Sequence, residues 1–154
     1  MKNLLLLFSA FMFLWSCSRS PEPIRLGVES CAHCKMTIVD AKFAAELITR
    51  KGKIYKFDSV ECLIGYQIES ALPAETIHSQ WVSDFTHPGT FIRAETAVYL
   101  HSQQLKSPMG LNLAAFPDEI SAKEYQKKLQ GHILTWQEVI DLIPAKTHQM
   151  PKSD

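Results

Sequence analysis

"KIYKFDSVECLIGYQ", residues 53–67, passes within a few positions from a strand pattern to a helical one. Ile54, Tyr55 and Phe57 are the β-branched and aromatic residues of a strand, and Lys51-Gly52 before them supplies a hairpin turn. Asp58 or Ser59 then caps a helix, with Glu61 three positions after Asp58 as in a capping box. Val60, Leu63, Ile64 and Ile68 fall on one face of that helix. "NLAAFPDEISAKEYQ", residues 112–126, makes the same passage from aromatic to acid to helix, with Phe116 in the place of Phe57. The fold class this implies is α+β, built from two small ββαβ-like repeats in a pseudo-duplicated arrangement.

Upstream of the first helix, residues 37–49 read as two short strands or one bent strand, and "WVSDF" (81–85) as a returning strand. The first repeat spans 29–86, and "FTHPGTF" (85–91) is the linker. "FIRAETAVYLH" (91–101) opens the second repeat, 91–143, which closes with a strand, a turn and a last short helix in "HILTWQEVIDLI". Residues 144–154 are expected to form a disordered tail. Tyr55, Phe57, Trp81 and Phe85 are read as core.

The chain has 154 residues, 46% hydrophobic and 21% charged, with no net charge, which suits one compact core or two very small ones. No basic excess points to nucleic acid. Lys2 precedes an apolar run from Leu4 to Trp15, broken only by Ser9. The run is too short to span a bilayer comfortably and reads as a secretory signal over residues 1–16. Ser16-Cys17 at its end resembles the lipobox of bacterial lipoproteins, although Trp15 is bulkier than that motif usually carries. Cys17 is then the lipidated residue and 17–28 a tether, which anchors the protein on the periplasmic side of a bacterial membrane.

Export favours disulfides, yet Cys31, Cys34 and Cys62 remain once Cys17 is lipidated, and an odd number cannot all pair internally. "SCAHCKMTIVD" (30–40) packs Cys31, His33, Cys34 and Met36 into a short knuckle. The C-x-x-C spacing lets both sulfurs converge on one ion or on each other. Cys34 and Met36 leave on the same face if the chain is already extended there. Cys62, at the start of the following helix, lies where the helix dipole favours a thiolate. Thiolates with thioethers select Cu(I), whereas zinc takes thiolate and imidazole and has little use for methionine. Met109, beside a turn glycine in "SPMGL", is a second thioether outside any expected core. A copper carrier, a zinc module and a thiol-disulfide protein all remain open on these residues. His78, His87, His101, His132 and His148 show no metal spacing.

The lipobox-like Cys17, "CAHCKMTIVD", "KGKIYKFDSVECLIGY" and "SPMGLNLAAFPDEISAKEYQKKLQGHILTWQEV" together resemble the NosL family. These are copper-binding lipoproteins associated with nitrous oxide reductase. The resemblance implies an extracytoplasmic Cu(I) metallochaperone, not an enzyme. Its implied partners are apo nitrous oxide reductase and an ABC-type maturation machinery. It makes Cys34 and Met36 the first Cu(I) ligands and Met109 a third from the other repeat, with Cys31, Cys62 and His33 as further candidates. Family members commonly have glycine where this chain has Lys35.

Overall fold

The computed structural model describes residues 19–143. The expected signal at 1–16, Cys17 and the expected tail at 144–154 lie outside the described residues. Strand β1 (Ala45–Thr49) is buried along its whole length and forms the centre of the first sheet. It pairs antiparallel with β2 (Ile54–Phe57) across the Lys51-Gly52 turn and with β3 (Ile77–Ser83) on its other side. Gly52 takes φ 83 there, a left-handed conformation that glycine adopts without a steric penalty. Helix α1 (Val60–Glu69) connects β2 to β3 and buries Val60, Leu63 and Ile64.

The second sheet has β5 (Val98–His101) between β6 (Leu113–Phe116) and β7 (His132–Leu134), both antiparallel to it. Helix α2 (Glu119–Leu129) joins β6 to β7, and α3 (Trp136–Leu142) follows. Asp118 caps α2 by accepting from the Ser121 amide, and Thr135 with Glu138 forms a full capping box on α3.

Three local readings change. β4 (Phe91–Arg93), read from sequence with the second repeat, hydrogen-bonds to β3 instead, so the first sheet runs β2-β1-β3-β4. Of residues 37–49 only β1 is a strand, while Thr37 makes a single bridge to Ser30. The cap of α1 is Ser59, whose hydroxyl accepts from the Cys62 amide at 3.3 Å. Asp58 and Glu61 are therefore not a capping pair, and both carboxylates turn to other work.

The two sheets meet edge to edge. Asp84 bridges to Ala115, and the Phe85 amide donates to the Ala115 carbonyl at 2.9 Å. One core cluster crosses the join, with Phe57, Leu63 and Val82 from the first sheet side and Tyr99, Leu113 and Val139 from the second. Phe57 is fully buried, and a smaller cluster around Leu100, Phe116 and Ala122 sits beneath α2.

Residues 21–29 cross the first sheet as a strap. The Glu22 amide donates to Glu46 at 3.0 Å, and Lys56 Nζ donates to the Pro23 carbonyl and to both Glu29 oxygens. Glu46 has no exposed surface, and burial pushes its carboxyl up to about 7 against the pull of the Glu22 amide and Lys56. Among the described residues no helix is long and apolar enough to cross a membrane.

Candidate metal centre

Residues 30–37 form a tight knuckle closed by the Ser30–Thr37 bridge. The Cys31 amide donates to the Met36 carbonyl at 2.8 Å, and the Lys35 amide to the Cys31 carbonyl at 3.1 Å. Lys35 closes the turn at φ 67, a left-handed conformation that glycine adopts without a clash and a side-chain-bearing residue does not. The Ala32 amide donates to the Lys56 carbonyl at 2.8 Å, which pins the knuckle to β2.

The knuckle and the start of α1 bring Cys31, Cys34, Cys62 and Asp58 together, with one ligand atom of each within 4.8 Å of all the others. All three cysteines are free. Cys31 and Cys62 are buried at 1% exposure each and Asp58 at 2%, while Cys34 is half-buried and forms the open side. Cys34 Sγ donates to Asp58 Oδ2 at 3.3 Å, and Asp58 Oδ1 has no hydrogen-bond partner among the described residues. A buried carboxylate oxygen with no donor is costly, and a bound cation removes that cost.

The thiolate does not sit on Cys62. The Cys62 thiol donates to Cys31, and with the Asp58, Cys34 and His33 amides this draws Cys31 down to about 6 against the opposing effect of burial. Cys62 is pushed far up by that same pairing, then by burial and by Asp58. Burial foremost, together with the neighbouring Cys31 and Asp58, raises Cys34 to about 11. The helix dipole reaches Cys62, but a neighbour that is already charged outweighs it. A metal ion here meets one ready thiolate and displaces protons from the other two.

Lys35's left-handed turn interrupts the alternation that would have put Cys34 and Met36 on one face. Met36 is instead 56% exposed, on the knuckle's outer rim. Met109 is 43% exposed and shares a cavity of about 300 Å³ with Cys62, His33 and Leu111. His33 Nδ1 lies 3.6 Å from Glu69, and its ring packs on Gly65, where a Cβ would come within 2.9 Å of Nε2. Glu61 holds the Met109 loop in place, with its buried Oε1 accepting from Ser107 Oγ at 2.9 Å and from the Leu111 amide at 3.1 Å.

Sequence reasoning missed Asp58 as a donor, because it was absorbed into the expected helix cap. The extended segment after Cys34 is also not the helix that a thioredoxin-like C-x-x-C pair would precede.

Fold and site define a small two-sheet α+β protein with a cluster of three thiols, two of them buried, able to hold a metal ion. The NosL family profile matches residues 25–143, and the chain belongs to the NosL family. The crystal structure of the copper chaperone NosL from Shewanella denitrificans is similar in fold, with a TM-score of 0.66. The match has 19% sequence identity and covers 78% of this chain and 95% of that one. No curated protein matches the chain.

Proposed function

We propose that this chain is an extracytoplasmic Cu(I) carrier, a metallochaperone and not an enzyme, anchored through a lipid on Cys17. The convergence of three free thiols at a half-open site carries the reading, supported by membership of the NosL family and by the fold of a copper chaperone. Thiolate and thioether donors are soft and suit Cu(I). Cys31, Cys34 and Cys62 are the sulfur donors; the exposed Met36, two residues after Cys34, and Met109, which shares a cavity with Cys62 and His33, are the further candidates. Cu(I) tolerates two or three ligands, so an incoming donor enters at the Cys34 side before an old one leaves. The cargo passes by ligand exchange without being released as a free ion.

The matching strand orders β2-β1-β3 and β6-β5-β7 support the reading of two duplicated ββαβ units; the thiol cluster lies within the first, not between the two, and Met109 of the second shares a cavity with Cys62. The proposed acceptor is apo nitrous oxide reductase, served together with an ABC-type maturation machinery on the periplasmic side of the membrane.

Asp58 favours a second reading. A carboxylate is a poor donor for Cu(I), whereas three thiolates and one carboxylate make a closed tetrahedral zinc set. An anaerobic Cu(I) titration against a chromophoric chelator, with zinc as control, separates the two. Tight one-to-one Cu(I) binding that weakens in Cys34→Ser and Met36→Ile supports the carrier. Tight zinc with weak copper, or unfolding on chelation, moves the zinc module to the front.

A further inference from the structure

Five of the six histidines lie within the described residues. Three have a ring partner: His33 with Glu69, His78 with Ser79, and His87 with Asp84. His101 and His132 differ, since neither imidazole makes a hydrogen bond or ion pair among the described residues. They also stand directly opposite each other, His101 on β5 and His132 on β7, at the last position of the ladder. Opposed residues of antiparallel strands share a face, with Cβ atoms about 4.5–5.5 Å apart, close enough for two imidazoles to reach one ion.

The backbone beneath them is held firmly. Gly131, next to His132, has φ 99, and a Cβ there would stand 2.1 Å from the His101 carbonyl oxygen. Only glycine allows the strands to approach so closely at this point. Ser102, next to His101, donates its hydroxyl to the Leu129 carbonyl. Both histidines line a cavity of about 310 Å³ with Ser102, Gln103, Gln104 and Gln130. His132 is exposed and His101 half-buried, so the pair is open to solvent.

We propose that His101 and His132 form a second metal site, which chelates a borderline divalent transition ion, Cu(II) above all, through one ring nitrogen each. Imidazole suits such ions, and Cu(II) binds nitrogen sites most tightly among the divalent first-row metals. Water and the amide oxygens of the neighbouring glutamines complete the shell. The donor chemistry is the opposite of the thiol cluster's, so the two sites sort ions by softness, and this site stands whichever metal the cluster holds.

The test uses the full chain with its thiol cluster first saturated by one equivalent of Ag(I), which is soft and does not oxidise thiols under these conditions. Cu(II) is then added and followed by electron paramagnetic resonance. The expected result is one tightly bound Cu(II) with couplings to two imidazole nitrogens. His101→Asn and His132→Asn each weaken it roughly tenfold or more, because each removes the intramolecular second ligand. His78→Asn leaves it unchanged. His132 is exposed, so its replacement tests the pair without disturbing the core. Binding that survives both substitutions, or that disappears instead in His148→Asn, overturns the proposal.

Discussion

The Ser107 hydroxyl donates to the buried Glu61 carboxylate at 2.9 Å, joining residues 46 positions apart across the two sheets. Glu61 follows the Ser59 cap by two residues and sits on the turn of α1 that carries Cys62. The second-sheet loop bearing Met109 is therefore tied to the helix bearing a cluster thiol. Glu61→Ala leaves the Ser107 hydroxyl and Leu111 amide without their acceptor and should lower unfolding free energy by about 1–3 kcal/mol. If Met109 serves the metal, Glu61→Ala should weaken Cu(I) binding as much as Met109→Ala does, and the two changes should not add. Denaturant unfolding and chelator competition on the two single variants and the double variant measure this. Fully additive losses of affinity would separate the clasp from the metal.

Lys35 holds a left-handed backbone that costs a side-chain-bearing residue about 1–2 kcal/mol, partly offset in the unfolded chain by its lower freedom than glycine. Lys35→Gly should therefore stabilise the fold by up to about 1 kcal/mol and leave metal affinity unchanged. A thermal melt of the apoprotein reads the first effect. A clear loss of stability would mean that the Lys35 contact with the Ala32 carbonyl outweighs the backbone strain.

Glu46 makes stability fall with rising pH. Its folded carboxyl stands near 7, above the ordinary 4.5, so the folded state holds the proton more tightly. That contribution is complete below about 4.5 and is lost as pH rises through about 7, an effect of up to about 3 kcal/mol. Subtracting the unfolding free energies of Glu46→Gln from those of the wild type, across pH 5 to 8, should reveal this slope. A flat difference would mean that the strap already neutralises the burial cost.

Metal-free reduced protein should show one thiolate per chain ionising near pH 6, visible as ultraviolet thiolate absorbance. Cys31→Ser should abolish the step, and Cys62→Ala should move it upward by removing the thiol that donates to Cys31. A step that persists in Cys31→Ser would reassign the ready thiolate. Cu(I) affinity should weaken as pH falls through this range, since protons then compete for Cys31.

Local signals made much of the molecule legible. The Lys51-Gly52 turn, the Phe57-to-helix transition and its Phe116 counterpart are short-range patterns, and each stands where the sequence places it. The knuckle and Cys62 were recognisable as one sulfur constellation. Long-range pairing was not legible: β4 leaves its sequence neighbours for β3, and His101 meets His132 only after a crossover through α2. Asp58 and Glu61 were hidden because their spacing also fits a capping box, and only the Ser59 hydroxyl taking that role frees them. Lys35 concealed the turn at the cluster, since a lysine gives no hint of the left-handed conformation that a glycine signals.

The strap has a mechanical consequence. Its Glu22 amide is tied to Glu46, five residue steps from Cys17. Five steps extend no further than about 18 Å. With an acyl chain on Cys17, the folded body would ride close against the bilayer on a short leash. Its search for a recipient would then be two-dimensional, and only proteins at that same surface would come within range of its cargo.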